Sequence, residues 1–208
     1  MLNPDQILGF LLAAVLVTAS PGPDNLMVLG MGMSRGRRHG VAFGLGCALG
    51  CLSHTLLAVL GVSALLAASP VAFTGLRVAG GLYLVRLGWL ALKSTGSSGP
   101  TAVQGSTETP ARLFGRGLLA NAINPKVVIF FLSFLPQFVA PDQGAVGTQL
   151  AALGLLFTAQ AALLFGLLGW FAGHLGRALQ QRPRAAQWLD RVAGAVFVGL
   201  GIKLMTGR

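Results

Sequence analysis

The chain has 208 residues, 54% of them hydrophobic and only 10% charged, with a formal net charge of +10. A soluble domain of this length needs charged helix faces and polar loops, so the composition argues against one and points to an integral membrane protein. The excess of Arg and Lys would suggest nucleic acid in a soluble protein. Here it falls between apolar stretches, as the positive-inside rule requires, and no aromatic-basic interleaving of an RNA module accompanies it.

Residues 1–6 carry Asp5 and no basic residue, so the first apolar stretch reads as a retained span rather than a cleaved signal, which needs a positive leading segment. Six spans are expected. The first covers residues 6–33 and is broken at 21–24, where Ser20-Pro21-Gly22-Pro23-Asp24-Asn25 interrupts an apolar run. A short cationic loop, Ser34 to Gly40, leads to the second span at 41–67. A tight uncharged turn, Ala68-Ser69-Pro70, leads to the third at 71–93. Residues 94–110 are rich in Ser, Thr, Gly and Pro and read as a flexible linker. The fourth span covers 116–139 and is broken near Pro125, within Asn121-Ala122-Ile123-Asn124-Pro125-Lys126. The turn Pro141-Asp142-Gln143-Gly144 precedes the fifth span at 146–175. A basic segment with Arg177, Arg182, Arg184 and Arg191 separates it from the sixth and shortest, at 192–205.

The expected fold is therefore all-α and membrane-embedded, one transmembrane domain in two three-helix halves. These are residues 1–93 and 116–208, joined by a cytoplasmic linker at 94–115. An odd number of spans in each half forces the halves to be inverted in the membrane. Basic residues sit mainly in loops one–two, three–four and five–six, which places both termini outside. Lys203 and Arg208 weigh against that, so a five-span form with the C-terminus inside stays open.

The prolines of the two breaks remove backbone donors and free carbonyls. In lipid those carbonyls need partners, so non-helical backbone survives only inside protein or beside a water-filled cavity. A pair of interrupted spans, one in each half, is the sequence pointer to a transporter site. Asp24 and Lys126 lie at the breaks, and a charge within a span costs about 3 kcal/mol or more, so such charges face cavities and pair. The reading is that they share one cavity, Asp24 meeting an ammonium and Lys126 a carboxylate of a zwitterion. The bland alternative is a structural ion pair or a snorkelling Lys126.

Asn25, Asn121 and Asn124 can bridge helices or hold substrate, since an amide both donates and accepts. His54, in the middle of the second span, is a proton-relay candidate, or else a packing histidine bonded to a carbonyl. Tyr83 and Arg86 share one face of the third span, and Arg86 there needs a partner such as Asp24 or a carbonyl. Cys47 and Cys51, one turn apart, read first as small packing residues. With His54 they also raise the alternative of a soft metal ion. Gly40-x-x-x-Gly44, Gly46-x-x-x-Gly50 and Gly169-x-x-x-Gly173 permit close helix contact. No phosphate-binding loop, metal-ligand cluster or nucleophile elbow is present, which speaks against an enzyme.

Several of these segments together resemble the LysE/RhtB family of amino-acid exporters. They are Pro21-Gly22-Pro23-Asp24, the Gly36-Arg37-Arg38-His39-Gly40 loop, Gly44-x-Gly46-x-x-x-Gly50 and Gly81-x-Tyr83-Leu84-x-x-Leu87-Gly88-Trp89. Asn121-x-x-Asn124-Pro125-Lys126 and Phe134-Leu135-Pro136-Gln137-Phe138 complete the series, in order along nearly the whole chain. The resemblance implies a bacterial inner-membrane exporter of amino acids or close derivatives, driven by proton antiport with alternating access. It implies that Pro21, Gly22, Pro23, Asp24, Pro125 and Lys126 take part in the substrate or ion site. The chain departs from the family at Cys51, where some members carry an acidic residue, and at Arg86, where an apolar or tyrosine residue is expected. The expected partners are an amino acid, protons and the lipid bilayer. A homo-oligomer is left open, and no cofactor, resident metal or nucleic acid is expected. The alternatives are a metal-ion exporter of the wider superfamily and a non-transporting membrane scaffold.

Overall fold

Prolines start most of the helices. In a computed structural model describing residues 2–94 and 108–206, Pro4, Pro23, Pro70, Pro110, Pro125 and Pro183 each open a helix. That is the position where the missing N–H costs nothing and the fixed φ suits the first turn. The helices are α1 Pro4–Ala19, α2 Pro23–Arg35, α3 Arg37–Leu57, α4 Ser63–Ala68 and α5 Pro70–Leu92. They continue as α6 Pro110–Ala122, α7 Pro125–Ile129, α8 Val146–Trp170, α9 Ala172–Gln181 and α10 Pro183–Thr206. A π turn at Ala58–Val62 joins α3 to α4, and a second at Phe130–Phe134 extends α7 into the 3-10 turn Leu135–Phe138. Ser69, Thr109 and Asn124 cap the helices they precede, each side chain accepting a first-turn N–H.

Among the described residues the regular structure is entirely helical. Three stretches are long and apolar enough to cross a membrane: Arg37–Leu65, Val71–Leu92 and Val146–Trp170. The pairs α1/α2 and α6/α7 meet the same test when taken together, bent by 57° and 50°, which brings the number to as many as five. Both bends fall at the proline breaks expected from sequence. α10 is 24 residues long but carries Arg184, Asp190, Arg191 and Lys203, and is not among them.

Several boundaries differ from the sequence reading. α6 begins at Pro110, ahead of the expected 116, because Thr109 caps it there. Most of the linker, residues 95–107, lies outside the described residues. The fifth apolar stretch ends at Trp170, and a turn at Phe171 sets off α9. The basic segment after it is helical, because Arg, Gln and Ala are good helix formers and extend α9 and α10 beyond the apolar run.

α3 is the central helix, and glycine sets its spacing to its neighbours. A Cβ on Gly46 would lie 2.0 Å from the Phe114 carbonyl, and one on Gly117 would lie 2.1 Å from the Phe43 carbonyl, so α3 and α6 touch backbone to backbone. On another face a Cβ on Gly44 would lie 2.8 Å from the Phe165 carbonyl of α8, and Gly40 and Gly169 meet beside Gly32 of α2. α5 and α10 run antiparallel along a seam of the same kind, Gly81 against Gly201 and Gly88 against Gly194. The Arg77 guanidinium donates to the Leu204 carbonyl at one end of this seam, and Ser94 donates to Asp190 at the other.

Phe10, Phe130, Phe131, Phe134 and Phe157 fill the core, and all are buried. At the end where α2 stops and α6 starts, Glu108 meets Arg35 and Arg112 at 3.6 Å each and Arg116 at 2.5 Å. Trp89 and Trp170 are exposed, with Lys93 and Arg37 over their rings at 4.6 and 4.2 Å. Such pairs suit the bilayer interface.

Candidate functional site

The two breaks face one another. α1 ends at Ala19 with its last carbonyls unpaired by helix, and α2 restarts at Pro23. The ammonium of Lys126, on α7 of the other bent pair, reaches across and donates to the Val17 and Ser20 carbonyls at 3.3 Å each. The Asn25 amide donates to the Thr18 carbonyl at 2.8 Å. The freed end of α1 is thus closed by one cation and one amide, and the cation sits where a helix C-terminus favours it. Lys126 is 8% exposed.

Gly22 is what lets Lys126 in. Its backbone is extended, with φ −171°, so any residue could adopt it. A Cβ there, however, would lie 2.9 Å from the Lys126 ammonium. The requirement is for space.

The second break is closed from the other side. α6 ends at Ala122, and its Asn121 carbonyl receives Nε2 of His54, from α3, at 3.0 Å. Since a carbonyl only accepts, Nε2 carries a proton, while Nδ1 is buried without a hydrogen-bond partner. Asn124 caps α7, its side-chain oxygen accepting the Lys126 N–H at 3.1 Å. Asn121 is the hub: its amide donates to the Asp24 carboxylate at 2.7 Å, and its side-chain oxygen faces the Cys51 thiol at 3.4 Å. Asp24, in the first turn of α2, is 5% exposed. A carboxylate at a helix start is favoured by the unpaired N–H groups there.

Asp24, Asn25, Asn121 and Lys126 line one cavity, closed over by Phe157 and Phe165 of α8. Its volume is about 10 Å³, room for about one water molecule. Among the described residues every ion pair involves Glu108, so Asp24 and Lys126 do not meet as a direct pair. Each is held instead by neutral groups of the opposite break.

The remaining expected residues fall around this group. Pro21, Pro23 and Pro125 are exposed at the bends and Gly22 is half-buried beside Lys126, while His54 and Asn124 are buried behind the cavity wall. Tyr83 is half-buried and Arg86 exposed on α5, and neither lines the cavity. The deep partner expected for Arg86 is not made: its side chain points away from the core. Cys47 and Cys51 are free and buried. Among the described residues no three His, Cys, Asp or Glu side chains gather as a metal site.

Sequence reasoning missed Thr18 and Gln160. The Gln160 amide donates to the Thr18 hydroxyl at 2.9 Å, tying α8 to the end of α1 at the cavity wall. A lone glutamine inside the apolar run of α8 was the available signal. An adjoining cleft of about 250 Å³ opens from Thr18 and Asn25 along Leu164, Leu168 and Leu175.

The sequence matches the family described as LysE type translocator over residues 15–208. It is 34% identical to an uncharacterised membrane protein of Pseudomonas aeruginosa, covering 95% of this chain and 93% of that one. It is also 34% identical to the threonine efflux protein of Escherichia coli, over 93% of this chain and 94% of the relative. The leucine efflux protein of an Enterobacter species is 28% identical, over 94% and 92%. No solved structure matches.

Proposed function

The chain belongs to the LysE type translocator family, and from that premise we propose that it is a secondary transporter exporting amino acids or close derivatives from the bacterial cytoplasm. The observation that carries the reading is the crossing of the two breaks. Two opposite charges are buried around one cavity, each satisfied by polar groups of the other bent helix pair. A zwitterion offers replacements for both sets of partners. Its ammonium takes the Asp24 carboxylate from Asn121, and its carboxylate takes the Lys126 ammonium from the Val17 and Ser20 carbonyls. The unpaired N–H groups at the starts of α2 and α7 add favourable potential for the carboxylate.

A cavity of about 10 Å³ holds no amino acid, so loading requires the bent pairs to part. The exchange of partners then links occupancy to opening, which is the basis of alternating access. On this reading the molecule has six spans in two inverted halves of three. α1/α2 corresponds to α6/α7, α3 to α8, and α5 to α10. The packing of α3 on α8 and of α5 on α10 supports that correspondence, since each helix meets its counterpart. Asp24 and the unpartnered Nδ1 of His54 are the proposed proton sites of the return step, with protons as coupling ion. The protein resides in the inner membrane.

The test is efflux from cells preloaded with a labelled amino-acid mixture, with and without a protonophore. Selective, protonophore-sensitive loss of one amino acid, abolished by Asp24→Asn, is the expected result. No efflux from cells with the protein confirmed in the membrane, or full efflux from both Asp24→Asn and Lys126→Ala, overturns the reading.

A further inference from the structure

A second polar cavity lies at the end of the molecule opposite Glu108. It measures about 310 Å³ and draws its walls from Phe73 and Arg77 of α5, residues 136–139 after α7, and Lys203 of α10. Two cations meet in it, and among the described residues no carboxylate lines it. Arg77 is fixed in place: Nε and Nη2 both donate to the Leu204 carbonyl, at 3.3 and 3.0 Å. That leaves the Nη1 side of the guanidinium for another acceptor. Lys203 is exposed one residue away, with three donors and no ion pair among the described residues.

Charge distribution sharpens the point. At this end the first residues carry Asp5, the turn at 68–70 is uncharged, and the turn at 140–144 carries Asp142, with no Arg or Lys in any of them. Arg77 and Lys203 therefore oppose the charge bias that orients the chain, so topology does not account for them. Snorkelling explains a lone basic side chain reaching for water. It does not explain an arginine anchored to the backbone of a neighbouring helix, at the floor of a cleft, beside a second cation.

The walls are mixed. Phe73, Pro136, Phe138 and Val139 flank the two cations with the Gln137 amide among them, so the cleft suits an anion that carries an apolar body. Phe138 also ties the cleft to the core. Its ring meets that of Phe10 edge-on at 5.4 Å, Phe10 meets Phe157 at 6.5 Å, and Phe157 closes the central cavity.

We infer that this cleft is an anion site, in which Arg77 and Lys203 hold the carboxylate or phosphate of an amphipathic anion. Two sources share that chemistry: the headgroup of an anionic lipid, and a free organic carboxylate such as an amino-acid derivative. Binding at the cleft stands independently of the exporter reading; only a part in export rests on it.

The test uses the full-length protein in detergent and native mass spectrometry, with phosphatidylglycerol as probe and phosphatidylcholine as neutral control. The wild type is expected to retain phosphatidylglycerol in preference. Arg77→Gln with Lys203→Gln is expected to lower retention about tenfold or more, the loss of about one charge-assisted hydrogen bond or more. Lys93→Gln, at the other end of α5, should not change it. Lys203→Gln alone leaves the Arg77–Leu204 link intact and should lower retention in part, which keeps the test usable if the double variant fails to fold. N-Acetylleucine, a carboxylate with an apolar body and no ammonium, separates the sources. Competition with the lipid places free carboxylates in the same site, and lack of competition restricts it to headgroups. Equal retention of both lipids by the wild type, or unchanged retention in the double variant, overturns the inference. Efflux does not enter the readout, so failure of the transport reading leaves the result intact.

Discussion

Replacing Gly22 by Ala tests the central geometry with a single methyl group. The added Cβ would stand 2.9 Å from the Lys126 ammonium and 3.6 Å from its Cε. Ordinary contact needs roughly 3.4 Å, so the ammonium must retreat by about 0.5 Å. Its bonds to the Val17 and Ser20 carbonyls are already long, at 3.3 Å each, and the retreat carries one or both out of range. Hydrogen bonds to charged groups are worth about 1.5–3 kcal/mol, and the lower figure suits these long ones. One or two such losses correspond to about a 10- to 150-fold change in an equilibrium that depends on Lys126 placement. The same losses weaken the folded state, and removing glycine's freedom from the unfolded chain offsets about 0.4–1 kcal/mol of them. The expected outcome is a melting temperature lowered by only a few degrees in detergent, by circular dichroism, with efflux of the labelled substrate at least tenfold slower. Wild-type efflux from a Gly22→Ala protein would refute the argument that Gly22 serves to admit Lys126.

Substitutions at four further positions probe other contacts. Gly117→Ala drives a methyl group to 2.1 Å from the Phe43 carbonyl and should cost about 1–3 kcal/mol or more. Gly115→Ala, two residues away on the same helix, meets nothing within 4 Å and should gain about 0.5–1 kcal/mol, so thermal unfolding of the pair should move in opposite directions. His54→Ala strips the Asn121 carbonyl of its donor from α3 and should destabilise by about 1–3 kcal/mol, with His54→Gln recovering part of the loss in the same assay. Glu108→Gln removes the carboxylate shared by Arg35, Arg112 and Arg116. Arg112 and Arg116 are open to solvent, but the Glu108 and Arg35 side chains are only 12% and 11% exposed, so the loss should be about 1–3 kcal/mol, read as a lower melting temperature that is also less sensitive to added salt.

The breaks were legible in sequence because proline, amide and charge coincide inside apolar runs, which few membrane helices tolerate. Asp24, Lys126, Asn25 and Asn121 all reach one cavity for that reason. The pairing within the group was not legible. Lys126 reaches back to carbonyls more than a hundred residues earlier, and nothing local to either segment encodes that distance. The glycine spacings in α3 pointed to close contacts, yet they could not say that Gly46 faces α6 while Gly44 faces α8. Arg86 shows the opposite failure. Its position within a span suggested a deep partner, but helix phase turns it outward while Leu84 on the same helix is fully buried. The extents of α9 and α10 were misjudged because the apolar pattern marks where a span lies and not where the helix stops.

The small size of the central cavity bears on the cell's energy supply. With room for about one water molecule, it contains no file of solvent, and Phe10, Phe157 and Phe138 stand between it and the Arg77 cleft. A proton hopping across a membrane needs an unbroken chain of waters or titratable groups, and packed phenyl rings supply neither. On the proposed function, a carrier closed in this way acts as an insulator: many idle copies could remain in an energised bilayer without discharging the gradient across it.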